Sequence, residues 1–114
     1  MTPLDIPVDL KKIDKKSPDL NIIKEAISAR ETAHELMAEN RNIDALERTV
    51  DALRSLRDFS DFDNMEFRAL LLSLIFDLAE IHYLLKDYKQ SEKEIEWLFK
   101  VLDNLIKQDP ERFG

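Results

Sequence analysis

Glu31-Thr32-Ala33-His34 has the Glu-x-x-His spacing found in carboxylate-bridged di-iron bundles, because positions three apart on a helix project to one side. Such a centre needs a second copy of the pair and two further glutamates. The other histidine of the chain, His82, has Ala79 three residues before it, so the second copy is missing. Asp58, Asp61, Asp63 and Glu66 supply oxygen ligands of the kind hard cations take, but no glycine is available for a calcium loop's sharp turn. Met65 also stands where an oxygen ligand belongs. That stretch reads as a solvated acidic loop, with Phe59 and Phe62 turned back onto the core. No cysteine is present, which excludes thiolate nucleophiles, thiolate metal sites and disulfides. The only glycine is the last residue, Gly114, so neither a phosphate-cradling glycine loop nor a nucleophile elbow can be built. Glu94 and Glu96 are two apart and face away from each other on a helix. The expectation is a protein that is not an enzyme and has no metal or cofactor.

The 114 residues suit one domain, and 44% hydrophobic with 36% charged residues is the balance of a helix-rich globular chain. A formal net charge of −7 disfavours nucleic acid and anionic membrane surfaces as partners, since both are bound by clusters of Lys and Arg. Residues 1–10 carry acidic side chains and prolines where a secretory leader needs a basic and then an apolar run. The most apolar stretch, 69–76, is far short of the roughly 20 residues of a membrane span. A cytoplasmic protein is expected.

Residues 1–18 form the first of two regions. Leu4, Ile6, Val8 and Leu10 alternate with Asp5, Pro7 and Asp9, an extended period, and Pro3 and Pro7 oppose a helix. The reading is an extended arm laid across the body, followed by a solvated turn at Lys11-Lys12 to Lys15-Lys16. Residues 19–114 form the helical domain. A first helix starts at Ser17-Pro18-Asp19, with Ser17 as cap, and shows Ile22, Ile23, Ala26, Ile27, Ala33, Leu36 and Met37 at helical spacing. It stops near Asn40-Arg41-Asn42, where Asn42 is placed to cap a second helix carrying Leu46, Val50 and Leu53. Asp44–Arg48 and Asp51–Arg54 are expected as ion pairs on its outer side. The third helix, from about Met65 to Leu85, is apolar nearly all round and must be central. After Lys86-Asp87-Tyr88 a fourth helix runs to Asp109-Pro110. The fold class is all-α: two antiparallel helical hairpins, four helices in total.

Small residues recur at matched places in the two hairpins. Ala79 and Ser91 are twelve apart with Leu98 seven later; Ala33 and Ala45 are twelve apart with Ala52 seven later. Together with Leu78-Ala79-x-x-His82, Asp87-Tyr88-x-x-Ser91 and Ile95-x-x-Leu98, this spacing resembles a degenerate, two-unit tetratricopeptide-repeat protein. Ile75, Ala79 and His82 stand where that family tends to have Trp, Gly and Tyr. The units are also 46 residues apart, not 34. A four-helix bundle is the other architecture the pattern allows.

The resemblance implies a groove lined by Ile27, Arg30, His34 and Met37 from the first unit and Ser73, Phe76, Glu80 and Tyr83 from the second. Such a groove would bind a protein or peptide partner, an apolar peptide with a basic side chain meeting Glu80. Relatives that clamp a peptide's terminal carboxylate use Lys, Arg and Asn there, so Phe76 and Glu80 do not suit that role. The alternative for Phe76 and Tyr83 is plain core packing. Trp97 lies off the Ile95–Leu98–Leu102 stripe of the fourth helix, which calls for a cover: either the 4–10 arm or a second copy of the chain. Two functional readings follow: a non-catalytic interaction module, or a structural or regulatory helical bundle acting as a homodimer.

Overall fold

In the computed structural model, residues 8–15, 18–60, 64–108 and 110–113 are described. They form helices α1 (Asp19–Ala38), α2 (Asn42–Ser55), α3 (Met65–Leu84), α4 (Tyr88–Gln108) and the short α5 (Pro110–Phe113), with single 3-10 turns at Leu10–Lys12 and Leu56–Asp58. No strand occurs among the described residues. Helices α1 and α2 pack closely as one hairpin and α3 and α4 as a second, and α2 joins the hairpins by packing on α3.

Several helix ends have a local cause. Asn64 accepts from the Glu66 and Phe67 amides, which starts α3. Asp19 opens α1 as a first-turn carboxylate and accepts from the Ser60 amide at 3.0 Å and from its hydroxyl, tying the helix start to the loop between the hairpins. The hairpin turns are built alike. Asn40 and Lys86, 46 residues apart, have φ of 62° and 65°. Behind them the Arg41 amide donates to the Leu36 carbonyl and the Asp87 amide to the His82 carbonyl, both at 2.8 Å. This is the Schellman arrangement that closes a helix C-terminus. The second turn uses a lysine where glycine or asparagine is favoured.

Asn42 does not cap α2. The residue before the helix is Arg41, no side chain caps it, and Asn42 Oδ1 is buried without a hydrogen-bond partner. The Schellman closure uses up the turn, so the chain enters α2 before Asn42 can stand outside it. The outer ion pairs are also shifted by one turn. Arg41 holds Asp44 at 2.9 Å and Arg48 reaches Asp51 at 3.6 Å, because each arginine turns toward the following aspartate. The 17 and 62 positions expected to cap and to pack lie outside the described residues, as do 61 and 63.

The main core gathers Ile13, Ile23, Ala26, Ala52, Leu56, Phe59, Phe67, Leu70 and Leu74, with Val8 and Leu10 packed against it. Phe59 does turn back, stacking on Phe67 with ring centroids 4.8 Å apart. A smaller cluster joins Ala33, Ala45 and Ile81 near the turn end of the first hairpin. Alanines on both helices bring the α1 and α2 backbones close, which larger side chains would prevent. In the second hairpin Ser91 takes the equivalent place, its hydroxyl donating to the Ala79 carbonyl at 2.8 Å. Helix α3 is covered along most of its length, as its all-round apolar character requires.

Candidate functional site

The two hairpins are joined by a polar node that local sequence patterns do not reveal. Asp77, fully buried in α3, accepts from Arg30 Nε of α1 at 2.7 Å and from its Nη2 at 3.4 Å. His34 Nε2, one turn further along α1, lies 2.9 Å from the same Asp77 oxygen. Arg30 and His34 sit four residues apart and so reach one point together. A buried carboxylate is tolerable when it is paired and hydrogen-bonded in this way. Glu80 follows Asp77 by three residues and is 8% exposed, with Oε2 lacking a hydrogen-bond partner. Burial pushes its carboxyl above the usual 4.5, and the neighbouring Asp77 charge adds to the rise while His34 opposes it.

Of the residues expected to line one groove, Arg30, His34 and Glu80 are thus neighbours, with Arg30 and His34 turned onto Asp77. Phe76, half-buried, is on the Glu80 side of α3. Met37 is partly buried and packs against the Ala33–Ala45–Ile81 cluster. Tyr83 is 55% exposed and meets the Tyr88 ring edge-on, centroids 5.3 Å apart. Trp97 is elsewhere. On α4 it lines a hollow together with Phe67, Leu71 and Leu78 of α3, and none of the other six residues is among the residues lining that hollow.

Trp97 instead flanks an open trough of about 540 Å³ between α2 and α4, floored by α3. Val50 and Leu53 form the α2 wall, Leu71 and Leu78 the floor, and Trp97 the opposite wall; Arg54 and Arg57 stand at the α2 side. A second hollow lined by Leu71, Arg68, Val101 and Asn104 continues it along α4. The trough exists because α2 and α4 both pack on α3 but are not brought against each other, a non-local property that periodicity cannot encode. The arm was one expected cover for Trp97. The described part of the arm, Val8 and Leu10, packs on the α1–α3 core instead, and its Leu4 and Ile6 lie outside the described residues.

On the other side of α4, His82 Nδ1 is 2.6 Å from Glu94 Oε1, and Gln90 donates to the second Glu94 oxygen at 3.3 Å. This buried pair fastens α4 to α3. Among the described residues no three His, Asp or Glu side chains are grouped to hold a metal ion, and no helix is long and apolar enough to cross a membrane. No family model, no curated protein and no solved structure matches this chain.

Proposed function

We propose that the protein is a non-catalytic interaction module that binds an amphipathic helix of a partner protein in the trough between α2 and α4. The observation that carries this reading is Trp97, 42% exposed against an apolar floor. Tryptophan rings beside a desolvated hollow are the side chains that most often carry binding energy. The trough's width between two helices suits a third helix, whose side chains at i, i+4 and i+7 would meet Val50, Leu71 and Trp97. Arg54 and Arg57 border it in a chain of net charge −7, so carboxylates flanking the apolar stripe are the complementary chemistry. The cysteine-free, acidic composition supports a cytoplasmic setting.

A displayed library of helical peptides tests this. Peptides with an apolar stripe and acidic flanks should be enriched, and their binding should shift the Trp97 indole and Leu71 resonances. Trp97→Ala should weaken them by about 2 kcal/mol or more, roughly thirtyfold. Enrichment that is equal on the Trp97→Ala protein, or shifts confined to Arg30 and Glu80, would remove the trough from consideration.

A second reading, a structural homodimer, is favoured by α4 itself. Ile95 and Phe99 are exposed, Phe99 at 62%, on the side of the helix away from the trough. Light scattering over a concentration series separates the two readings. A monomer leaves the interaction module standing, and a tight dimer whose mass falls on Phe99→Ser assigns that stripe to self-association.

A further inference from the structure

The trough and the hollow that continues it form one groove with unlike ends. Phe67 and Leu71 line both, so the floor runs along α3 from Phe67 to Leu78, about 16 Å or three helical turns. Its walls are stripes at helical spacing: Val50, Arg54 and Arg57 on the α2 side, and Trp97, Val101 and Asn104 on α4.

The levels along the groove follow from how the helices pair. Across α3 and α4, Ala79 meets Ser91, His82 meets Glu94 and Arg68 meets Gln108, with the two helices antiparallel. Leu78 is thereby level with Trp97, and Leu71 with Asn104. Across α2 and α3, Ala45 clusters with Ile81, while Ala52 and Leu56 cluster with Leu70 and Leu74. Val50 therefore lies toward Leu78, and Arg57 toward Arg68. One end of the groove is apolar, and the other carries Arg57 and Arg68 with Arg54 between the ends. Arg54 and Arg57 are exposed and hold no carboxylate among the described residues.

Helices α2 and α4 both finish at this arginine end, which makes it the negative end of two helix dipoles. A helix laid in the groove with its N-terminus there is antiparallel to both walls. Carboxylates in its first turn then face the arginines and also its own N-terminal amides, two attractions that act together. In the reverse orientation, carboxylates in its last turn would still meet the arginines but would oppose its own dipole and those of α2 and α4.

We propose that the occupant of the trough is a partner helix of about three turns, acidic in its first turn and apolar at i, i+4 and i+7 beyond it, bound parallel to α3. The proposal rests on the helix-binding reading above and adds the order and direction of the bound segment. The acidic turn sits between Arg57 and Arg68, and the last apolar side chain reaches the Trp97 ring. A helix with the same stripe but an acidic last turn is the wrong partner.

Two peptides of about 14 residues, identical in composition and opposite in order, test this on the full chain. One has glutamates in its first turn and leucines beyond, and the other has leucines first and glutamates in its last turn. A staple on the solvent side keeps both helical. The acid-first peptide should bind about tenfold more tightly at low salt, and the ratio should narrow as salt is added. A spin label at its N-terminus should broaden the Arg68 and Asn104 amides, and one at its C-terminus those of Leu78 and Trp97. Arg57→Ser, at an exposed position, should reduce the preference while the spectrum of the free protein stays otherwise in place. Equal binding, a preference for the acid-last peptide, or an N-terminal label that broadens Trp97 would overturn the proposed order and direction while the helix-binding reading stood. Binding of neither peptide, or binding that leaves Trp97 untouched, would overturn both.

Discussion

Arg30 and Asp77 are 47 residues apart in sequence and form a buried ion pair at 2.7 Å, the link between the first helix of each hairpin. Asp77 is 1% and Arg30 13% exposed at the side chain, and His34 shares the same carboxylate. The Coulomb attraction offsets a large desolvation cost, so the pair contributes less as net stability than as a constraint: it fixes where α1 lies along α3. An apolar contact in its place would permit the hairpins to slide.

Removing one partner of this pair should therefore be costly. Asp77→Ala leaves the Arg30 guanidinium buried beside a void, and a loss of about 3–5 kcal/mol is expected from guanidinium unfolding midpoints. Asp77→Asn keeps an acceptor for Arg30 Nε and should lose less. If Asp77→Ala costs under about 1 kcal/mol, the pair does not hold the hairpins together.

The hairpin turns give an opposite expectation. Lys86 occupies φ 65°, where a Cβ is unfavourable, while Asn40 at φ 62° is a residue type that tolerates the left-handed region. Lys86→Gly should stabilise the protein by about 0.5–1 kcal/mol and Asn40→Gly by less. A loss of stability on Lys86→Gly would show that the lysine side chain contributes more to the turn than its backbone strain costs.

These turns also mark how far the sequence alone could be read. Two hairpins follow from helical spacing, from the polar Asn40–Asn42 and Lys86–Asp87 breaks, and from an α3 greasy enough to demand cover on several sides. The α1 and α3 limits agree with that reading to within a residue or so. By sequence Pro110 reads as a terminator, but it opens α5, proline being equally at home in a first helical turn. Asp77 directly follows the apolar stretch 69–76, and nothing local marks it as one half of an ion pair. Its partners come from another hairpin, and no local pattern announces a pairing across 47 residues. The trough was illegible for the same reason: it is a gap between α2 and α4, which are not consecutive.

Glu80 should make stability depend on pH. Its carboxyl is held above 4.5 in the folded chain, chiefly by burial, with Asp77 adding to the shift and His34 opposing it. A raised folded value favours the protonated acid, so the stabilisation it gives is complete at low pH and is lost as pH rises through the folded value. Above that point the folded protein carries a buried charge. Glu80→Gln should consequently melt higher than wild type at pH 7, and the difference should close as pH falls below 4.5. A difference that widens toward acid would mean that the ionised form is the favoured one in the fold.

The crossing of α3 and α4 is set by Ala79, 5% exposed, whose carbonyl accepts from the Ser91 hydroxyl. That bond requires the two backbones to be close, and the nearby His82–Glu94 contact at 2.6 Å keeps them so. Ala79→Leu inserts three further carbons at the point of closest approach and should cost about 1–3 kcal/mol by overpacking. It should also lengthen the His82–Glu94 contact, seen by NMR as a shift of the His82 ring resonances at fixed pH. Ala69→Leu, on the side of α3 away from α4, should leave those resonances unmoved whatever it does to stability. Equal effects of both substitutions on His82 would mean that the crossing is not governed by the small residue at 79.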